Sequence, residues 1–168
     1  MFGRGGRRLW ETHPWKWSLC MSTGKAVAAD VIAQTVVERK TPAELDTRRM
    51  LVWASFGAVY GGTMCHGIYQ VLFPRLFPAA TAANVLRMNA LDNFVNTPFI
   101  FFPTFYAIKE AILGGGGLDD AWAKYRAEVW EGCVASWYIW IPAHLLTFGV
   151  VPVYLRISFA TVVSFFFY

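Results

Sequence analysis

The chain has 168 residues, enough for one domain; 56% are apolar and only 15% are charged. A soluble domain carries about 25% charged residues, and a small globule has too much surface to cover with fewer, so the composition excludes an ordinary water-soluble fold. The net charge of +4 resides mainly in connectors and ends and forms no extended basic face, which excludes a nucleic-acid partner.

The chain opens with a basic tail over residues 1–12. Its start, MFGRGGRRLW, holds three arginines and no acid. It lacks the apolar core of a secretory signal and reads as the remnant of a matrix-targeting signal or as an uncleaved tail resting on lipid headgroups.

A helix crossing a bilayer needs about 20 mostly apolar residues, and four segments meet that requirement: roughly 17–37, 50–73, 89–113 and one within 137–168. The first is the most polar, with Lys25, Asp30 and Gln34. The second has no Asp, Glu, Lys or Arg. It carries His66 near its middle, and Gly57, Gly61 and Gly62 supply small residues that let another helix of the same chain approach closely. The third begins with Asn89, Asp92 and Asn96 on one face. The last contains His144 and Arg156 and is interrupted by Pro142 and Pro152.

The connectors carry matching punctuation. Thr41-Pro42-Ala43-Glu44 predicts a capping box and a short surface helix. Gly114 to Gly117 forms a flexible joint. Beyond it, residues 119–132 place Trp122, Tyr125, Val129 and Trp130 on one side and Lys124, Glu128 and Glu131 on another. That pattern fits a helix lying on the membrane surface or one packed on its own protein. Trp10, Trp15 and Trp17 precede the first span, and Trp137, Tyr138 and Trp140 precede the last, as interface anchors at headgroup level. Basic residues divide evenly between the two sides, so they do not choose an orientation. The expected architecture is all-α: a single membrane-embedded domain of about four transmembrane helices with short amphipathic surface helices.

No motif for catalysis stands out. There is no Gly-x-Ser-x-Gly elbow, no His-Glu-x-x-His and no complete phosphate loop. The histidines fall in separate segments, and Cys20, Cys65 and Cys133 are widely spaced without a Cys-x-x-Cys pair, so they read as packing residues. The expectation is a non-enzymatic protein with no metal or cofactor, apart from bound lipid such as cardiolipin. Charges in lipid cost about 2.5–3.5 kcal/mol each on insertion scales and therefore face other helices or water. Asp30, Gln34, His66, Asp92, Asn93, Asn96, His144 and Arg156 accordingly line a hydrated path or act as interhelical glue, for example through an Asp30–Arg156 pair.

Several of these residues stand in a familiar order. His13-Pro14-Trp15-Lys16, then Asp30, Gln34 and Val37-Glu38-Arg39-Lys40, resemble the opening of the Mpv-seventeen and peroxisomal twenty-two-kilodalton membrane protein family. Gly62, Thr63, His66, Ile68 and Tyr69 match its Gly-Pro-x-x-His-x-Trp-Tyr stretch. Asp92-Asn93, followed by Pro98, matches its Asp-Gln. Trp140, Ile141, His144, Thr147, Phe148, Val151, Pro152 and Arg156 resemble its terminal signature, and Asp120-Ala121-Trp122 its surface segment.

The resemblance implies a four-helix organellar membrane protein, often of the mitochondrial inner membrane and sometimes peroxisomal, that is a channel for small solutes in some members. A plastid location is a further alternative. Departures fall at Thr63 for proline, at Asn93 and His144 for glutamine, and at Thr147 for asparagine. With the polar pattern diluted and an aromatic, tail-less end able to dock on neighbouring helices, the expected role is an accessory structural subunit of a larger membrane complex, such as a respiratory-chain or ATP synthase assembly. Its partners would be membrane lipids and other membrane-protein subunits. The alternative is a free-standing channel-like protein for small solutes.

Overall fold

The computed structural model describes residues 12–114 and 117–167. Trp10 and nearly all of the basic tail lie outside the described residues. Within them the chain is all-α, without strands, and folds as five helical runs.

The first run is α1 (Pro14–Ile32), continued by a π-helical segment, Ala33–Val37. Proline fits the first helical position because its fixed φ is already helical and it needs no N–H there. Arg39, with φ 57°, turns the chain out of the run. Thr41 caps the single 3-10 turn Pro42–Glu44 through the expected box, its backbone N–H donating to the Glu44 carboxylate at 2.9 Å.

The Asp46 side chain caps α2 (Thr47–Phe56) by accepting from the Arg49 N–H at 3.0 Å. The same run continues through π-helical Gly57–Met64 and Gly67–Leu72 into α3 (Phe73–Leu76). The third run is α4 (Ala82–Leu91), π-helical Asp92–Phe101, α5 (Phe102–Lys109) and π-helical Glu110–Gly114. Pro98 lies inside it; proline has no N–H to donate, and locally altered helix geometry accommodates the missing bond.

Two expectations change here. The helix expected over 119–132 is not separate, because α6 (Gly117–Gly149) runs through it and through Trp137 without interruption. Its residues pack on α5: Ala121 and Tyr125 are buried with Tyr106. Lys124 Nζ donates to Glu110 Oε2 at 2.5 Å, and the Tyr106 hydroxyl donates to the Glu128 carboxylate. Side chains placed on the wet side by pattern alone thus face a neighbouring helix.

The last span is not one helix either. The chain reverses after Gly149 through Pro152 and a short 3-10 turn, and α7 (Arg156–Phe167) returns along α1. There Trp17 Nε1 donates to Ser158 Oγ at 3.1 Å, and Lys25 Nζ to Ser164 Oγ at 2.8 Å.

Among the described residues no helix is long and apolar enough to cross a membrane. The π-helical segments divide the second and third runs, α1 carries Lys25 and Asp30, and the first half of α6 is charged.

The burial pattern is inverted relative to a soluble domain. Among the described residues Gln34, Asn93, Thr147, Asp92 and Ser18 are fully buried, as are Phe148 and Met88, while Val37 is 76% exposed and Phe99 68%. The apolar part of the core is largely aromatic: Phe56, Tyr60, Tyr69, Phe73 and Phe148 pack with Met88. Against this core α1 lies very close to the second run. A Cβ on Gly57 would meet the Ser22 carbonyl at 2.8 Å, one on Gly62 the Leu19 Cα at 2.6 Å, and one on Gly61 the Ser22 Cβ at 2.9 Å.

Candidate functional site

The segment Asp92–Phe101 presents Asp92, Asn93, Asn96 and Thr97 to the interior. On a helix these offsets fall on one side, so local periodicity alone gathers four polar groups. Asn96 Nδ2 donates to Asp92 Oδ1 at 2.9 Å and to the Tyr60 hydroxyl at 2.7 Å. Asn93 Nδ2 donates to the Asn89 side-chain oxygen at 2.6 Å, and Asn89 Nδ2 to the Ile141 carbonyl of α6 at 2.9 Å.

His144 of α6 completes the cluster. Its Nδ1 lies 3.1 Å from Asp92 Oδ2 and 3.3 Å from Asn93 Nδ2, and its Nε2 lies 3.3 Å from the Tyr69 hydroxyl. Two acceptors, Asn93 Oδ1 and Asn96 Oδ1, are buried without a protein partner. Buried polar oxygens are usually paired, and water or a polar solute is the remaining source of a donor.

Their neighbours Asp92 and His144 border such a space. A cavity of about 110 Å³ lies between the helical runs. Asp92, His144, Tyr69, Lys25, Ser22 and Ser164 are among the residues that line it. Gly57 and Gly61 also form its wall, and with no side chains they let α1 close on the second run without filling the space. A volume of this size accommodates several waters.

Asp30 and Gln34 form a second, separate cluster. Gln34 Nε2 donates to Asp30 Oδ2 at 2.8 Å, and the Asp46 N–H donates to Gln34 Oε1 at 2.7 Å. Asp30 Oδ1 pairs with Arg49 Nε at 2.6 Å, not with Arg156. The expected Asp30–Arg156 pair is thereby corrected. Asp30 sits where α1 approaches the following connector, whereas Arg156 opens α7 near Tyr69, towards the other end of α1. Arg156 instead reaches the carbonyls of Tyr69 and Phe148 at 3.4 and 3.5 Å and lies over the Phe148 ring. Outside the bundle, hydrogen bonds from Lys40 and Arg49 hold the Glu38 carboxyl below its usual range.

The remaining candidates spread out. His66 faces Ser18 Oγ at 3.2 Å, apart from the Asp92 cluster. Of the expected interface anchors, Trp15 and Tyr138 are exposed. Trp17 is tied to Ser158, Trp137 Nε1 donates to the Asn93 carbonyl at 2.8 Å, and Trp140 lies against His144 with ring centroids 4.9 Å apart. Trp137 therefore supports the polar cluster, because an indole N–H taken into a bundle needs an acceptor there, and Trp140 packs on it through its ring. Sequence reasoning missed the roles of Tyr60, Arg49 and the Glu110–Lys124 pair. The one available signal was a tyrosine hydroxyl within an apolar run. Among the described residues no group of three or more His, Cys, Asp or Glu is placed to hold a metal.

Comparisons with known proteins place this geometry in context. A family profile described as the Mpv17 / PMP22 family matches residues 111–168. The protein named "Mitochondrial inner membrane protein Mpv17" of Rattus norvegicus is 30% identical over 155 residues, 92% of this chain and 86% of its own length. Its counterpart of the same name in Homo sapiens is 29% identical with the same coverage. "Protein SYM1" of Eremothecium gossypii is 31% identical over 160 residues, 93% of this chain and 86% of its own length. No solved structure gives a significant match.

Proposed function

The chain belongs to the Mpv17 / PMP22 family, and from that premise we propose that it passes small polar solutes across the mitochondrial inner membrane through the cavity inside its bundle. The location follows from relatives named as mitochondrial inner membrane proteins. The inverted burial supports the crossing itself. Polar side chains are among the deepest and many large apolar ones are exposed, an arrangement that suits lipid, where polar groups pair between helices and apolar faces meet acyl chains. Each of the second and third runs is helical without a break once its α and π segments are joined. Backbone groups are thus bonded within each run, as a bilayer requires.

The observation that carries the channel-like reading is the contact between Asn93 and His144. These are the two positions where the sequence departs from the family glutamines. Read separately, they suggest a diluted polar core and favour a purely structural subunit. In the fold they lie 3.3 Å apart, with Asp92 of the third run 3.1 Å from His144. The polar character is gathered into one buried cluster, whose Asp92 and His144 line the cavity, rather than lost. The chain's own groups would solvate a passing solute, with no catalytic step.

Reconstitution of the purified chain in planar bilayers tests this. A conductance that changes in Asp92→Asn supports the function, and silent bilayers overturn it. A second reading, an accessory subunit of a larger complex, has its own support in α6, where Trp130 is 70% and Tyr138 80% exposed and neighbouring helices could cover them. Migration of the native protein with a large complex on blue-native gels favours that reading, and migration alone removes it.

A further inference from the structure

The two ends of the bundle carry charge differently. One end gathers the start of α1, the close of the second run, the start of α4 and the turn between α6 and α7. Trp17 of α1 bonds Ser158 of α7, Arg156 reaches the Tyr69 carbonyl, and a Cβ on Gly149 would touch Val85 of α4 at 3.7 Å. This end bears Lys16, Arg75, Arg87 and Arg156. At the other end the Asp30–Arg49 and Glu110–Lys124 pairs, and the packing of α2 on Glu110–Gly114, bring the α1–α2 connector beside the close of the third run and the first half of α6. Among the described residues every aspartate and glutamate except Asp92 lies there, from Asp30 to Asp46, at Glu110, and from Asp119 to Glu131. Glu11 and the three tail arginines lie outside the described residues. The even division of basic residues hides this difference, because the acids are not evenly divided.

We propose that the end bearing Lys16, Arg75, Arg87 and Arg156 seats the phosphate headgroups of anionic phospholipid. Three observations lead to it. First, Lys16, Arg75 and Arg87 are exposed, and none is paired with a described carboxylate. At the other end Lys40, Arg49 and Lys124 are already matched by Glu38, Asp30 and Glu110. A basic residue at an anionic membrane surface strengthens attachment about fivefold, and only the unmatched end offers that gain in full.

Second, Arg156 is buried with its Nε unpartnered, and its other two nitrogens reach only main-chain carbonyls, at 3.4 and 3.5 Å. A buried cation without counter-charge is costly. Phosphates gathered around this end supply the negative potential that the described side chains near it do not. Third, Trp15, Leu76, Leu86, Val150 and Tyr154 are exposed in the same elements. They form an apolar and aromatic collar that meets acyl chains while the basic side chains reach the phosphates. A free phosphate ion would use the charge and leave the collar without a partner, so the occupant is a lipid.

The test uses the full chain reconstituted in phosphatidylcholine vesicles with a trace of spin-labelled phosphatidylglycerol or spin-labelled phosphatidylcholine. Electron paramagnetic resonance gives the fraction of each label held at the protein surface. Phosphatidylglycerol should associate at least about fivefold more strongly, the effect of one basic residue at the surface. The exposed pair Arg75→Gln/Arg87→Gln should at least halve that preference. Arg48→Gln/Arg126→Gln, an exposed pair at the other end, should leave it unchanged. Excess inorganic phosphate should not displace the lipid.

A wild-type preference near one overturns the proposal without any variant. Equal loss in the two pairs of variants overturns it in favour of general protein charge, and displacement by inorganic phosphate overturns it in favour of a free-anion site. Should R75Q/R87Q fail to fold, the wild-type preference and the phosphate competition still decide. Conductance plays no part in this measurement. Silent bilayers therefore remove the channel-like function and leave the lipid site standing, and a conducting protein without phosphatidylglycerol preference does the reverse.

Discussion

Asp30 Oδ1 and Arg49 Nε lie 2.6 Å apart, joining α1 to α2 across the connector between them. The aspartate side chain is 1% exposed and the arginine 33%. The pair is therefore anchored at one end inside the bundle and wet at the other. Removing Arg49 leaves a buried carboxylate without its counter-charge. Arg49→Ala should cost about 2 kcal/mol, below the range for a fully buried pair because water screens the guanidinium side. Thermal unfolding in detergent checks this. Arg156→Ala should not reproduce the coupling in a double-mutant cycle with Asp30→Asn, since Arg156 belongs to a different set of contacts.

The Glu38 carboxylate receives Lys40 Nζ at 2.8 Å and Arg49 Nη1 at 2.5 Å, and these bonds lower its pKa. A depressed carboxyl contributes stability that is present above its unfolded value, about 4.3, and is lost as pH falls through the folded one. Any melting-temperature advantage of the wild type over Glu38→Gln should therefore be full at neutral pH and close in acid. A difference that widened below pH 4.3, roughly the ordinary glutamate value, would contradict the assigned partners.

Close helix approach makes the interior glycines unequal to Gly24. Gly57→Ala and Gly62→Ala force a methyl against backbone atoms of α1 and should destabilise by about 1–3 kcal/mol each. Gly24 has nothing within 4 Å of an added Cβ, so Gly24→Ala should be neutral or stabilise by up to about 1 kcal/mol through helix propensity. Ranking the three variants by denaturation midpoint is the measurement. Equal effects would refute the packing described.

Asn93 and His144 meet across the third run and α6, 51 positions apart in sequence. Their contact predicts a coupling energy of about 0.5–3 kcal/mol in the cycle Asn93→Ala, His144→Ala. Additive single-variant effects would mean that the two residues stabilise the bundle independently.

Much of the molecule was legible before folding was considered. Helical periodicity alone puts Asn89, Asp92 and Asn96 on one side of a helix, and the run of Gly57, Gly61 and Gly62 marks a close approach, because both are properties of a single helix and its local geometry. The low share of charged residues likewise indicates surroundings that do not require charge. Partner choice could not be read this way. Periodicity reports which side of a helix meets protein, but not which protein, so Lys124 and Glu128 read as solvated, whereas in the fold they bond to Glu110 and Tyr106 of the third run. The same limit made Arg156 an attractive partner for Asp30, and made Asn93 and His144 look like two separate losses of polarity. Only the fold decides such pairings, since the distance between residues far apart in sequence depends on how the helices pack and where the chain turns back.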